Sequence, residues 1–288
     1  MIKVLITGAT GNVGIEVLAA LNKLNHQLEI VAGVRDTEFG NEKLEIFNIK
    51  QIKFDFTNSE TFLPALKDID LLFLLRPPHI SDVKKYFAPL IDQVKQASVK
   101  HIVFLSVQGV ENSKIIPHHK IEKLIVASKI PFTFLRPAYF MQNFTTTLHT
   151  DLVNNQRIFL PAGQAKFTVI DAEDIGSVTA QVIIEPQNHL NKSYELTNNE
   201  NLTFTEMAEK ISNGIGKKIT FISPNLVKFF FTKRKEKMPS MLIFVMIMLH
   251  YFPRFQKTPM TTNCVKNITG QEPKSFDNFV FNNKKNLQ

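Results

Sequence analysis

Ile2–Thr7 is an unbroken apolar run, a glycine-rich turn follows, and then Val13, Val17, Leu18, Leu21 and Leu24 recur three and four residues apart. The run predicts a strand buried on both faces, and the spacing predicts a helix with one apolar stripe. The same alternation continues down the first half of the chain. Leu28–Val34, Gln51–Phe56, Ile69–Leu75, His101–Ser106 and Ile130–Arg136 read as further strands, and Val83, Phe87, Leu90, Ile91 and Val94 stripe another helix. Strands that alternate with helices build a parallel sheet covered on both faces through right-handed crossovers. The expected fold class is α/β, a doubly wound parallel sheet.

Beyond about residue 150 the rhythm changes. Arg157–Pro161 and Lys166–Ile170 read as short strands, and Asp171–Ile184 as a helix whose acidic start suits its N-terminus. Ser193–Leu196 is a strand, Thr203–Ile215 a helix opened by the Thr203/Glu206 capping-box spacing, and Lys218–Ser223 another short strand. The rest, Asn225 to Gln288, reads as mostly helical with a loop near Pro253–Thr262. The expected organisation is a sheet domain over 1–155 and a smaller α/β cap over 156–288, with part of 171–196 returning to the first sheet. A small-molecule substrate is expected in the cleft between them.

Composition narrows the setting. At 288 residues, 44% hydrophobic and 21% charged, the chain is neither disordered nor fibrous. A single cysteine, Cys264, allows no disulfide framework within the chain and points to a reducing compartment. The apolar start is too short for a secretory signal. The longest apolar stretch, Met241 to Leu249, falls well below the roughly 20 residues that span a bilayer. A cytoplasmic protein is expected. The net charge of +8 is uneven: residues 1–216 carry −2 and residues 217–288 carry +10. The lysines of that tail are scattered among asparagines, so the excess reads as compositional bias, and no nucleic-acid partner is expected. The stretch Met238–Phe255, rich in Met, Phe and Tyr, has three readings: an adaptable seat for a flat ring, a core helix of the cap, or a membrane-surface helix led by Lys233-Arg234-Lys235.

The turn after the first strand reads Gly8-Ala9-Thr10-Gly11-Asn12-Val13-Gly14. Glycines at that spacing permit a tight turn, a close backbone approach to a pyrophosphate, and helix packing against the strand, with helix N–H groups aimed at the phosphates. Gly8, Thr10, Gly11, Asn12, Val13 and Gly14 are therefore candidate dinucleotide contacts. At the end of strand two an acidic residue would select NAD and a basic one NADP. The chain has Arg35 there, followed by Asp36, so NADP(H) is preferred over NAD(H) with Asp36 as the rival ribose ligand. Asp55, with Phe56 beside it, is placed to meet the adenine edge, although Asp55 could equally cap the segment at Ser59.

These features, with Phe104–Gly109, His118, Leu135–Asn143, Phe167–Ile175 and Thr269–Phe276, resemble the NmrA-like family of atypical short-chain dehydrogenases in order across nearly the whole chain. The resemblance implies a Rossmann domain, a small C-terminal substrate domain and NAD(P)H binding. Some members are reductases, including quinone oxidoreductases, and others are nucleotide-sensing regulators that act through a protein partner. It also implies that Leu75 and Arg76 face the cofactor on one side, with Pro137, Tyr139, Phe140 and Asn143 on the other, and that Ser106 lines the nicotinamide pocket.

Ordinary short-chain dehydrogenases pair a tyrosine with a lysine four residues on, which lowers the tyrosine pKa. None of the four tyrosines here has that lysine. In the corresponding stretch the chain carries His118-His119-Lys120-Ile121-Glu122. His118 and Glu122 share a helical face, so the carboxylate is expected to raise the imidazole pKa and make His118 a proton donor, with Lys120 near the nicotinamide ribose. A surface ion pair is the alternative. Adjacent helical histidines point apart, so no metal site is expected. Ser106 and His118 are the catalytic candidates, in an NADPH-dependent reductase of a planar electrophile such as a quinone, or else the protein is a non-catalytic NADP(H) sensor.

Overall fold

The computed structural model describes residues 2–288, the side chains of 39–41 excepted. The chain divides into two units: 2–137 with 172–196 and 264–272, and 138–171 with 197–263 and 273–288.

The first unit alternates strand and helix: β1 (Ile2–Thr7), α1 (Asn12–Lys23), β2 (Leu28–Val34), α2 (Thr37–Leu44), β3 (Lys50–Lys53), α3 (Phe62–Leu66), β4 (Leu71–Leu75), α4 (Val83–Gln96), β5 (His101–Leu105), α5 (Pro117–Ser128) and β6 (Phe132–Pro137). The chain leaves through β7 (Tyr139–Phe140), α6 (His149–Asn155), β8 (Arg157–Phe159) and β9 (Lys166–Ile170), then returns as α7 (Ala172–Ile184) and β10 (Lys192–Leu196). The seven strands pair in the order β10-β6-β5-β4-β1-β2-β3, every pair parallel. Sheet order reverses on either side of β1, the switch point at which doubly wound sheets bind ligands beyond their carboxyl ends. Thr7 lies opposite Gly33 on β2, and Ile6 opposite Phe73 on β4, so those three strands end level. The central strands are apolar because helices cover both faces. Leu72 and Leu74 point into one core with Phe87, Leu90 and Phe104, and all five are fully buried.

The strand expected over Gln51–Phe56 ends at Lys53. Phe54 still donates its N–H to Val34 O at 2.8 Å, but Asp55 then folds into a turn, and the rings of Phe54 and Phe56 pack together with centroids 5.0 Å apart.

The second unit is built from β7, α6, β8 and β9, then β11 (Asn201–Thr203), α8 (Phe204–Ile215), β12 (Thr220–Ile222), α9 (Leu226–Lys235) and α10 (Ser240–Tyr251). After α11 (Cys264–Thr269), which belongs to the first unit, α12 (Phe276–Asn282) and α13 (Lys284–Leu287) complete it. Its sheets are small, β11-β9-β7 and β12-β8. Its core is aromatic, with Phe144, Phe204, Phe229, Phe276 and Phe279 fully buried. Thr203 and Glu206 form the capping box that their spacing predicts. The division falls at Pro137, earlier than the expected 155, because Tyr139 and Phe140 pair with Val169 and Ile170 rather than extending β6. No helix among the described residues is long and apolar enough to cross a membrane.

Candidate functional site

The glycine turn stands at the carboxyl end of β1. Gly8 has φ +65°, in the left-handed region that a side chain disfavours, and a Cβ there would sit 3.0 Å from Leu75 Cδ2. Gly11 donates its N–H to Gly8 O at 3.0 Å and serves as the N-cap of α1 without a side-chain cap. A Cβ on Gly14 would lie 2.2 Å from Gly8 O, so only glycine lets α1 start this close to the strand. Thr7, which sequence reasoning passed over, buttresses the turn. Its buried hydroxyl donates to Phe73 O at 3.0 Å and accepts the N–H of Leu75 at 2.9 Å, locking β1 to β4. Ile15 N bonds back to Gly11 O, which leaves the N–H groups of Asn12, Val13 and Gly14 as the uncapped donors of the first turn. Three convergent donors, the helix dipole and backbone stripped of Cβ atoms fit a pyrophosphate.

At the end of β2 Arg35 is exposed, whereas Asp36 is committed: its Oδ1 accepts the N–H of Glu38 at 2.9 Å at the start of α2. Asp55 is also committed, because one carboxylate oxygen accepts both the N–H and the hydroxyl of Thr57 at 2.8 Å. The segment at Ser59 is capped by Asn58 instead. The Phe56 ring lies in the core against Phe54 and Phe87, so only its backbone is left to meet a ligand.

Arg76 does not extend into solvent. Its Nη1 donates to the carbonyls of Pro77, Pro78 and Ile80, and its Nε donates to His118 Nε2 at 3.3 Å. Burial first, and the Arg76 charge second, push the His118 pKa down to about 3. The expectation that Glu122 raises it is overturned. Glu122 is claimed by Arg136 through two bonds, Nε to Oε1 at 3.1 Å and Nη2 to Oε2 at 2.8 Å. A buried bidentate guanidinium outcompetes a neutral imidazole one helical turn away. His118 is thus neutral, with Nε2 already accepting from Arg76, and Lys120 is exposed. We expect Glu122→Ala to cost about 1–2 kcal/mol in urea denaturation, since Arg136 loses its bidentate partner but keeps Glu111 at 3.1 Å and Glu195 at 3.5 Å. Ser106, beyond β5, is 2% exposed and anchored by its N–H to Leu135 O at 2.7 Å, yet its hydroxyl has no hydrogen-bond partner. Pro137, at the end of β6, accepts from Gln108 N at 2.9 Å. The first unit therefore carries the Gly8–Gly14 turn, Arg35, Leu75, Arg76, Ser106 and Pro137 at the carboxyl ends of its parallel strands, with His118 of α5 held against Arg76.

Tyr139, Phe140 and Asn143 belong to the second unit. The Tyr139 ring packs edge-on against Phe144, Phe167 and Phe204. Its hydroxyl meets His250 Nε2 at 3.2 Å, while His250 Nδ1 lies 2.6 Å from Met246 O. The carbonyl requires a proton on Nδ1, so Nε2 accepts and the Tyr139 hydroxyl donates. His250 was missed in the sequence; the signal was a lone imidazole in the apolar run of α10. Tyr139, Asn143 and His250 lie along a small cavity of about 80 Å³ that is walled by Leu242, Val245 and Leu249.

Burial also sets an acid limit on stability. His101 and His250, each 3% exposed, are held at about 4, well below the ordinary 6.5. Their stabilising contribution is whole above pH 6.5 and is lost as pH falls toward 4, each on the order of 2–3 kcal/mol. Glu195, raised to about 7 by burial and by Glu111, acts oppositely, adding stability as pH falls from 7 to 4.5. Two histidines outweigh one carboxyl. The melting temperature should fall between pH 6.5 and 4, and less so in His250→Gln; a flat profile would refute this.

The family described as NmrA-like matches residues 2–253. Among curated proteins the chain is 30% identical over 279 residues to the prestalk A differentiation protein A of Dictyostelium discoideum, covering 96% of this chain and 91% of that one. It is 27% identical to quinone oxidoreductase 2 of Escherichia coli, covering 75% and 76%. Among solved structures, the Citrobacter sp. triphenylmethane reductase complexed with NADP(H) superposes with a TM-score of 0.86 at 23% identity, covering 98% and 99%.

Proposed function

The chain belongs to the NmrA-like family, and on that premise we propose that it is an NADPH-dependent reductase of small planar electrophiles of the quinone class. The observation that carries the reading is the cradle at the end of β1: uncapped N–H donors at Asn12–Gly14 above a turn that a Cβ on Gly14 would close. The Gly8–Gly14 turn would hold the pyrophosphate, Arg35 the 2′-phosphate, and Ser106 a polar group of the nicotinamide half. Once bound, the dinucleotide supplies a hydride from its nicotinamide ring.

The choice of NADP(H) is supported by the contrast at strand two. Asp36 spends an oxygen on α2, whereas the Arg35 guanidinium is exposed. The choice of substrate is supported by what the chain lacks. There is no Tyr-x-x-x-Lys, and His118 is neutral with one nitrogen bonded to Arg76, which makes it a weak acid source at neutral pH. A quinone needs little acid assistance, because hydride addition gives a delocalised, aromatic hydroquinone anion that takes its proton from water. His118→Ala should therefore lower kcat by less than the roughly 10²–10⁴-fold that general acid catalysis supplies. The named relatives, a quinone oxidoreductase and an NADP(H)-complexed dye reductase, agree with this class.

The direct test follows NADPH oxidation across a panel of benzoquinones and naphthoquinones. Saturable turnover is expected; tight NADPH binding with no turnover on any of them would overturn the reductase and leave a nucleotide sensor. Ser106 offers a separate check. Since its hydroxyl has no partner, Ser106→Ala should leave stability unchanged or about 1 kcal/mol higher without nucleotide. The same substitution should shrink the thermal stabilisation that NADPH confers, and an unaltered shift would remove Ser106 from the site.

A further inference from the structure

α10 is apolar on every side. Its inner positions, Ile243, Met246 and His250, are buried. Its outer positions are where a surface helix normally carries charge, yet Met241, Leu242, Phe244, Val245, Met248 and Leu249 stand there between 41 and 75% exposed. α9 extends the surface with Val227 and Phe231, one turn apart and each 67% exposed. A patch of this kind marks a docking surface.

Charge identifies the occupant. Lys228, Arg234, Lys235, Lys237, Arg254 and Lys257 are all exposed in the same stretch. Glu236 is the sole acidic residue from 226 to 257, and it is engaged by Lys233 and Arg157 at 2.8 and 3.3 Å. None of the six exposed cations has a carboxylate partner. A second copy of the chain would bring six cations against six, which opposes self-association. The outer face of α10 offers no hydroxyl or amide to hydrogen-bond a protein. Its 12 residues measure about 18 Å along the axis, too short to cross a core of about 30 Å but suited to lying in its plane.

We propose that α9 and α10 form a monotopic membrane dock. The outer face of α10 seats at the boundary of headgroups and acyl chains, and the six cations meet the phosphates of an anionic bilayer. This does not depend on the reductase reading: Leu242, Val245 and Leu249 also wall the cavity beside Tyr139, whereas Met241, Phe244 and Met248 lie outside it, on a surface that the reaction leaves unused.

The test is co-sedimentation of the full chain with vesicles of phosphatidylcholine, alone or with phosphatidylglycerol. Binding is expected on the anionic vesicles at low salt, weaker on the zwitterionic ones and at high salt. Each of Lys235→Ala and Lys237→Ala should weaken it about fivefold. The double variant Met241→Glu/Met248→Glu should lose it by at least tenfold with an unchanged melting temperature, since both side chains are exposed. Three results would overturn the dock. They are no sedimentation with anionic vesicles, binding undiminished in the double variant, and a wild-type dimer in sedimentation velocity that the double variant splits.

Discussion

Gly14→Ala is expected to weaken NADPH binding by on the order of 10²–10⁴-fold. The added Cβ would stand 2.2 Å from Gly8 O and 2.7 Å from Ala9 Cα, both backbone atoms that cannot rotate away. The turn must open or α1 must withdraw, and either movement carries the N–H groups of the first helical turn off the phosphates. Two lost charge-assisted hydrogen bonds, at about 1.5–3 kcal/mol each, account for that range at 1.4 kcal/mol per decade. Overpacking also costs the fold about 1–3 kcal/mol, so the melting temperature of the free protein belongs beside the titration. Gly11→Ala separates the two effects. Its Cβ would meet Gly8 O at 3.3 Å, a contact that a small adjustment relieves, so the fold should survive while the approach of a phosphate is narrowed. Nucleotide titration by nicotinamide fluorescence reads both variants. Wild-type affinity in a folded Gly14→Ala would mean that this turn holds no phosphate.

The legible parts of this chain were local. A strand buried on both faces declares itself by an unbroken apolar run, so β1, β4 and β5 were plain, and the turn of Gly8–Gly14 was interpretable because a strand and a striped helix flank it. Thr203 and Glu206 found each other because a capping box closes within three residues. What was misread depended on partners far along the chain. His118 and Glu122 have helical spacing, but their partners are Arg76, 42 residues before one, and Arg136, 14 after the other. Spacing alone cannot weigh a buried guanidinium against an imidazole. Phe54 and Phe56 alternate as strand residues do, and the bonds of Asp55 to Thr57, Asn58 and Thr61 end the strand before them. The early division at Pro137 follows from pairing between Tyr139 and Val169, thirty residues apart. Burial of α11 with the first unit, after a long excursion in the second, had no local signature at all.

Arg35→Ala is expected to weaken NADPH binding by about 10- to 100-fold and to leave NADH nearly unchanged. A guanidinium against the 2′-phosphate makes charge-assisted hydrogen bonds, and a net loss equal to one of them, about 1.5–3 kcal/mol, yields that range. Arg35 follows the last residue of β2, level with the glycine turn through the pairing of Gly33 with Thr7, and its side chain is exposed. Asp36 is the competitor, and its geometry argues for a different job. Its Oδ1 takes the N–H of Glu38, so a ribose hydroxyl would have to share or displace the cap of α2. Asp36→Ala should accordingly lower stability by about 1 kcal/mol, as N-cap losses do, and improve NADPH binding slightly by removing a negative charge beside the phosphate. The wild type, the two variants and the two nucleotides form a closed set of six titrations. If Asp36 is the ribose ligand, NADH binds the wild type better and Asp36→Ala damages it. If Arg35 only stacks on the adenine face, which both nucleotides share, its loss weakens both alike. Equal weakening would remove the phosphate role, and with it the argument for NADP(H) over NAD(H).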